Sequence, residues 1–174
     1  MFQEIKNIYH LLVAISANIF YGFPAGKLKV IGVTGTDGKT TTVNFIYQII
    51  RSSGHECSMI SSMGAIINNK EYPLDFHVTT PSLLTLQKLI RKGLSNKNPE
   101  YLVLEVTSHA IDQYRVWGIP FAVGVLTNIT NEHLDYHKTY ENYFKTKSGF
   151  VKSAKISVVN RDDKSYELLN KNKK

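Results

Sequence analysis

Residues 28–34 read LKVIGVT, an apolar and partly β-branched run that leads directly into Gly35, Thr36, Asp37, Gly38, Lys39 and Thr40. Such a run reads as a buried strand. The glycines that follow let the backbone turn so that several N–H groups face one anion. Beyond the loop, Val43, Phe45, Ile46, Ile49 and Ile50 recur at helical spacing over residues 40–53, and Gly54 suits the stop. A strand, a glycine-rich loop and a helix in that order form a phosphate cradle. The helix start adds its positive dipole end, Lys39 can bridge terminal phosphates, and the Thr40 hydroxyl can ligate Mg²⁺. The pattern departs from the strict P-loop at Val33, where that motif has glycine. A tight turn with an exposed lysine is the plainer alternative.

The rest of the chain repeats the alternation. Strands are expected at residues 57–61, 101–106, 122–127 and 156–160, and a hairpin over 65–74 with Asn68 and Asn69 at its turn. Thr80 and Pro81 are expected to open a helix reaching Lys92 and ending at Gly93, with Thr80 as its N-cap. A further helix is expected over residues 140–153. Apolar strands separated by helices predict an α/β fold, a mostly parallel sheet with helices on both faces and a small hairpin insertion. Near the N-terminus, Ile5, Ile8, Leu12, Ile15 and Ile19 recur at helical spacing and predict an amphipathic helix that packs on the domain. The apolar run there is too short to span a membrane. Residues 164–174 read as a solvated, fraying terminus.

The net charge of +7 suits an anionic partner such as a nucleotide. No basic run studded with aromatics points to nucleic acid. Cys57 is the single cysteine, so no disulfide forms within the chain, which fits a reducing, cytoplasmic setting. No Asn-Lys-x-Asp motif for guanine occurs.

Three clusters stand at or near strand ends, where open α/β sheets collect ligands. Glu105 sits in an apolar strand and needs a partner, either a metal beside a triphosphate or Arg115 as a salt bridge. Thr127 and Asn128 end the next strand. His133 and His137 are four apart, a spacing that can mark zinc but lacks the rest of a ligand set. Lys147, by itself, reads as a surface lysine.

Taken together, the blocks resemble the Mur ligases in their central, ATP-binding domain, and most closely the tripeptide synthetase branch. The resemblance is carried by residues 30–42, by Thr79, Thr80 and Pro81, by residues 105–109 with Arg115, by Thr127 and Asn128 with residues 132–137, and by Tyr143 with Lys147. It implies that Gly35, Thr36, Asp37, Gly38, Lys39, Thr40 and Thr41 hold ATP phosphates, with Asn128 on the nucleotide side. It implies Mg²⁺ held by Thr40, Glu105, His133 and a carbamylated Lys147. Thr79, Thr80, Thr107 and Arg115 would contact a UDP-N-acetylmuramoyl peptide, and an amino acid would be joined to it through an acyl phosphate. Asp37 stands where the family usually has Asn, and Thr107 where it commonly has Ser. The family's uridine-binding and amino-acid-binding domains are not expected within residues 1–174, so a separate C-terminal ligase domain is an expected partner and the chain alone is expected to be inactive. Folylpolyglutamate-type and cyanophycin-type ligases share the loop and the chemistry, and a non-catalytic nucleotide-binding module is the reading from another class.

Overall fold

The computed structural model describes residues 2–74, 79–96, 99–130, 132 and 134–171. Among these, β1 (Lys29–Thr34), β2 (Cys57–Ser61), β3 (Gly64–Ile67), β4 (Lys70–Tyr72), β5 (Tyr101–Glu105), β6 (Phe121–Leu126) and β7 (Ile156–Val159) form a sheet in the order β4-β3-β2-β5-β1-β6-β7. The strands β2, β5, β1, β6 and β7 run parallel, and β3 and β4 add an antiparallel hairpin at one edge. Asn68 and Asn69 adopt φ of 52° and 63° at that hairpin's turn, a backbone region that Asn tolerates better than most residues. The α/β expectation is met, down to the hairpin insertion.

Alternation along each strand splits the core between the two faces. On one face Val43 and Tyr47 of α2 (Lys39–Ser52) pack with Val33, Met59 and Val103. On the other, Leu86 and Ile90 of α3 (Leu83–Asn96) and Phe150 and Val151 of α6 (Tyr140–Ser153) pack with Val30, Leu102, Leu104 and Phe121. Short helices α4 (Ser108–Asp112) and α5 (Leu134–His137) fill the connections at the ends of β5 and β6.

Several expectations need correction. The helix α1 (Phe2–Tyr21) forms and packs on the domain, but Ile8, Leu12 and Ile19 of its apolar stripe face outward, 60%, 59% and 65% exposed, while Ile15 is half-buried. The buried face is Ala14, Ala17 and Asn18, lying against α3 and the turn at Trp117. Small side chains allow that close approach. The buried Asn18 amide is satisfied there, donating to Trp117 O at 3.0 Å and accepting from Gln87 Nε2 at 3.0 Å. No helix among the described residues is long and apolar enough to cross a membrane. Thr80 does not cap α3. Ser82 does so, its Oγ accepting from Thr85 N at 3.3 Å, and α3 runs on through Gly93 to Asn96. Residues 165–171, expected to fray, form α7 (Ser165–Lys171), where Leu169 is buried in the core.

Candidate active site

The central strand β1 lies between β5 and β6, with Val33 paired to Glu105 and Thr34 to Leu126. Their carboxyl ends therefore present the glycine loop, the Glu105 carboxylate and the Thr127–Asn128 pair side by side. Two loop positions demand glycine. Gly38 has φ 75° as it enters α2. Gly35 has φ 152°, and a Cβ there would sit 1.8 Å from Thr127 Oγ1.

The loop is held in shape by the segment that follows β6. Asp37 N donates to Asn128 Oδ1 at 2.9 Å, and Asn128 Nδ2 and Thr127 Oγ1 donate to Asp37 O at 3.2 and 2.7 Å. Thr36 N donates to Asn128 O at 3.0 Å, while the Thr36 hydroxyl accepts from Thr130 N at 2.9 Å. Asn128 thus grips the loop itself. A cavity of about 370 Å³, lined by Asp37, Gly38, Thr42, Thr127, Asn128 and Asn160, opens beside it.

Glu105 is 2% exposed, a burial that a carboxylate tolerates only with partners. The alternative salt bridge to Arg115 is not what supplies them. The Thr40 hydroxyl lies 3.2 and 3.0 Å from Oε1 and Oε2, and Ser62 N donates to Oε2 at 3.0 Å. The Arg115 guanidinium turns instead to Thr80 O (2.9 Å) and to Gln113 Oε1 (3.0 and 2.6 Å), and its burial lowers its pKa. Thr80 joins the two clusters: its Oγ1 donates to Glu105 O at 3.0 Å and accepts from Thr107 N at 3.1 Å. Thr107 in turn caps α4, its hydroxyl accepting from Ala110 N at 3.1 Å. A second cavity, about 440 Å³, is lined in part by Pro81, Ser82, Gln113 and Arg115.

Lys147 is not a surface lysine. It is 1% exposed, its Nζ donates to Gly35 O at 2.5 Å, and it lies 4.7 Å from the Tyr143 ring centroid. Burial, reinforced by the neighbouring Lys39 ammonium, lowers its pKa from 10.5 to about 7. The Lys39 ammonium folds onto Thr36 O at 2.6 Å. Thr41 is exposed on the first turn of α2 and Thr79 is half-buried before Thr80. His133 lies outside the described residues. Sequence reasoning missed Ser62, which reaches the site from the turn after β2; its position just past a strand's carboxyl end was the available signal.

This geometry can be set beside known proteins. Over 157 residues the chain is 42% identical to the UDP-N-acetylmuramoyl-L-alanyl-D-glutamate–2,6-diaminopimelate ligase 1 of Clostridium acetobutylicum, covering 90% of this chain and 32% of the relative. A solved structure of a ligase of that description superposes with a TM-score of 0.69 at 32% identity, covering 83% of this chain and 29% of that one. A MurF ligase from Thermotoga maritima, solved in complex with ADP, shares the fold at a TM-score of 0.65 and 24% identity, covering 88% of this chain and 34% of the other. The chain thus spans about a third of the length of the curated relatives it matches. The Mur ligase middle domain profile matches residues 33–174, and the chain belongs to that family.

Proposed function

We propose that this chain carries the ATP-binding and phosphoryl-transfer part of a ligase that joins an amino acid to a UDP-N-acetylmuramoyl peptide, in cytoplasmic peptidoglycan synthesis. The observation that carries the reading is the Thr40–Glu105 contact, 3.0 and 3.2 Å, which ties the first turn after the phosphate loop to the carboxylate at the end of β5. The Lys39 ammonium, one residue before Thr40, is proposed to join that hydroxyl and carboxylate at one reaction centre.

The loop amides and Lys39 would bind the anionic tail of ATP, Lys39 exchanging its contact with Thr36 O for phosphate oxygens. The cavity beside Asn128 leaves room for the nucleoside. ADP bound to the Thermotoga MurF supports the same ligand class here. Hard oxygen donors suit Mg²⁺, and Thr40 and the buried Glu105 offer a hydroxyl and a carboxylate within hydrogen-bond reach of each other. Bound there, Mg²⁺ would neutralise charge on the transferred phosphoryl group. His133 and Lys147 are proposed to complete the set. A pKa of about 7 leaves much of Lys147 as free amine at neutral pH, able to add to CO₂. The nitrogen lone pair forms the N–C bond, a proton leaves, and a carbamate with one negative charge results.

On the other side, Arg115 lines the 440 Å³ cavity and holds Thr80 O, and it is proposed to orient the peptide's carboxylate together with Thr79 and Thr80. A carboxylate oxygen attacks the γ-phosphorus, the bond to the β-phosphate oxygen breaks, and ADP leaves. The amino-acid nitrogen then attacks the acyl carbon. The C–O bond to phosphate breaks and a proton is lost, giving the amide and inorganic phosphate. The substrate description of the 42%-identical relative names UDP-N-acetylmuramoyl-L-alanyl-D-glutamate as the peptide to test.

Calorimetry on the 174-residue chain with AMPPCP and Mg²⁺, and separately with that muramoyl dipeptide, tests the reading. Binding of the nucleotide, lost in Lys39→Ala with the fold retained, is the expected result. Equal nucleotide affinity in both proteins would remove the loop from the function.

A further inference from the structure

Arg115 lines the 440 Å³ cavity in a position that three bonds fix. Its Nη1 donates to Thr80 O at 2.9 Å, and its Nε and Nη2 both donate to Gln113 Oε1, at 3.0 and 2.6 Å. A guanidinium carries five N–H groups. Among the described residues these contacts use three of them, which leaves one N–H on each terminal nitrogen for an anion in the cavity.

The clamp depends on which way the Gln113 amide faces. Arginine has no acceptor, so the amide oxygen must face it and the amide nitrogen must face away. That nitrogen donates to Tyr136 Oη at 3.5 Å, the longest link. A phenol has one proton, and here it goes to Asp112 Oδ2 at 2.7 Å, so towards Gln113 the phenol oxygen can only accept. Burial and the bond to Asp112 both raise the Tyr136 pKa, which keeps that proton in place. The polarity of the whole row is therefore set from one end: carboxylate, phenol, amide, guanidinium. The far end is tied to α1, where Asn7 Nδ2 donates to Asp112 Oδ2 at 3.5 Å. Gln113 and Arg115 line the cavity, and Asp112 and Tyr136 stand behind them on α4 and α5.

We propose that Tyr136, oriented by Asp112, is a positioning residue for substrate binding: it holds the Gln113 amide so that the amide oxygen stays on Arg115 and the two remaining guanidinium N–H groups meet the carboxylate of the muramoyl peptide. This rests on the reading of Arg115 as that peptide's contact. Without the phenol oxygen, the Gln113 nitrogen loses its acceptor and the amide can turn over, setting N–H against N–H. The Tyr136 ring packs on His109 with 4.1 Å between centroids, and phenylalanine keeps that packing.

Calorimetry on the full chain with UDP-N-acetylmuramoyl-L-alanyl-D-glutamate, and separately with AMPPCP, measures the effect in Tyr136→Phe and in Asp112→Ala, and either variant serves alone if the other fails to fold. Nuclear magnetic resonance of the Arg115 Nε–H adds a second readout, because its exchange with water reports whether Gln113 still accepts from it. Both variants are expected to weaken the muramoyl dipeptide about three- to tenfold, the worth of one hydrogen bond. AMPPCP affinity should stay at the wild-type value, and the Arg115 Nε–H should exchange faster. Wild-type affinity for the dipeptide in the variants overturns the role of Tyr136 and leaves Arg115 as the peptide's contact. Parallel loss of dipeptide and AMPPCP binding also overturns it, because the residue then supports the fold. So does weaker dipeptide binding with unchanged Nε–H exchange, because the phenol then acts by a route other than Arg115. A wild-type chain that binds AMPPCP but not the dipeptide removes the reading of Arg115, and the role of Tyr136 with it.

Discussion

The Thr40 hydroxyl and the Glu105 carboxylate meet at 3.0 Å across residues 65 positions apart in the chain. The contact exists because β1 and β5 are neighbours in register, Val33 beside Glu105, so that α2 begins over the end of β5. Replacing Glu105 with Gln keeps the shape and removes the charge. The expected outcome is a folded protein whose nucleotide affinity no longer rises on adding Mg²⁺, a loss of about tenfold or more. Titrating AMPPCP with and without Mg²⁺ checks it. A full Mg²⁺ effect in the variant would separate Glu105 from the cation.

Lys147 makes stability depend on pH in a defined direction. Its folded pKa, about 7, lies below its ordinary value of 10.5, so between those values the unfolded chain binds more protons than the native one. The penalty of burying the ammonium is therefore full below pH 7 and is relieved as pH rises towards 10.5. Cys57, pushed up to about 12 by burial, acts oppositely above its ordinary value of 9. The difference between wild type and Lys147→Met isolates the lysine. Urea melts should show the variant's advantage over wild type shrinking from pH 6.5 to pH 8.5 by about 1–2 kcal/mol. A difference independent of pH would mean that Lys147 is not held as the buried amine described.

Much of this was legible before the fold was known. The loop reads from glycine chemistry and from the apolar run ahead of it, and Glu105 from being a carboxylate in a strand that has no other polar side chain after Tyr101. Lys147 was not legible from its neighbours; only the family pattern singled it out, because α6 turns it inward onto a carbonyl 112 residues away. The α1 stripe misled for a related reason. Helical periodicity reports that a face exists, and the packed face proved to be the one whose small residues, Ala14 and Ala17, allow α3 to approach. Ser62 has no local signal beyond its place after a strand, since its meaning comes from β2 lying beside β5.

Asp37 tests how the loop tolerates charge. Its backbone is fixed by Asn128 and Thr127, whereas its side chain is exposed at the mouth of the cradle. A carboxylate there opposes an incoming triphosphate, at a distance where water and salt screen much of the effect. Asp37→Asn should tighten AMPPCP binding by about two- to five-fold at low salt, with the gain fading at high salt. Calorimetry at two ionic strengths checks both parts. Unchanged or weaker binding at low salt would mean that this carboxylate helps to hold the loop rather than repelling its ligand.

Thr80, 1% exposed, links the two halves of the site through its hydroxyl. It gives its proton to Glu105 O and accepts from Thr107 N, so both main-chain groups depend on one oxygen. Thr80→Val preserves the volume and strands both partners in a dry environment, at a cost of about 1–3 kcal/mol. Thr80→Ser keeps the oxygen and should recover most of that loss. Chemical denaturation of the three proteins measures it. The same pair should separate in binding: as Glu105 is displaced at its own carbonyl, Thr80→Val should lose Mg²⁺-dependent nucleotide affinity while its Mg²⁺-free affinity stays near wild type. A Thr80→Val protein as stable as wild type would show that these main-chain groups find other partners, and the coupling between the Arg115 side and the Glu105 side would have to run elsewhere.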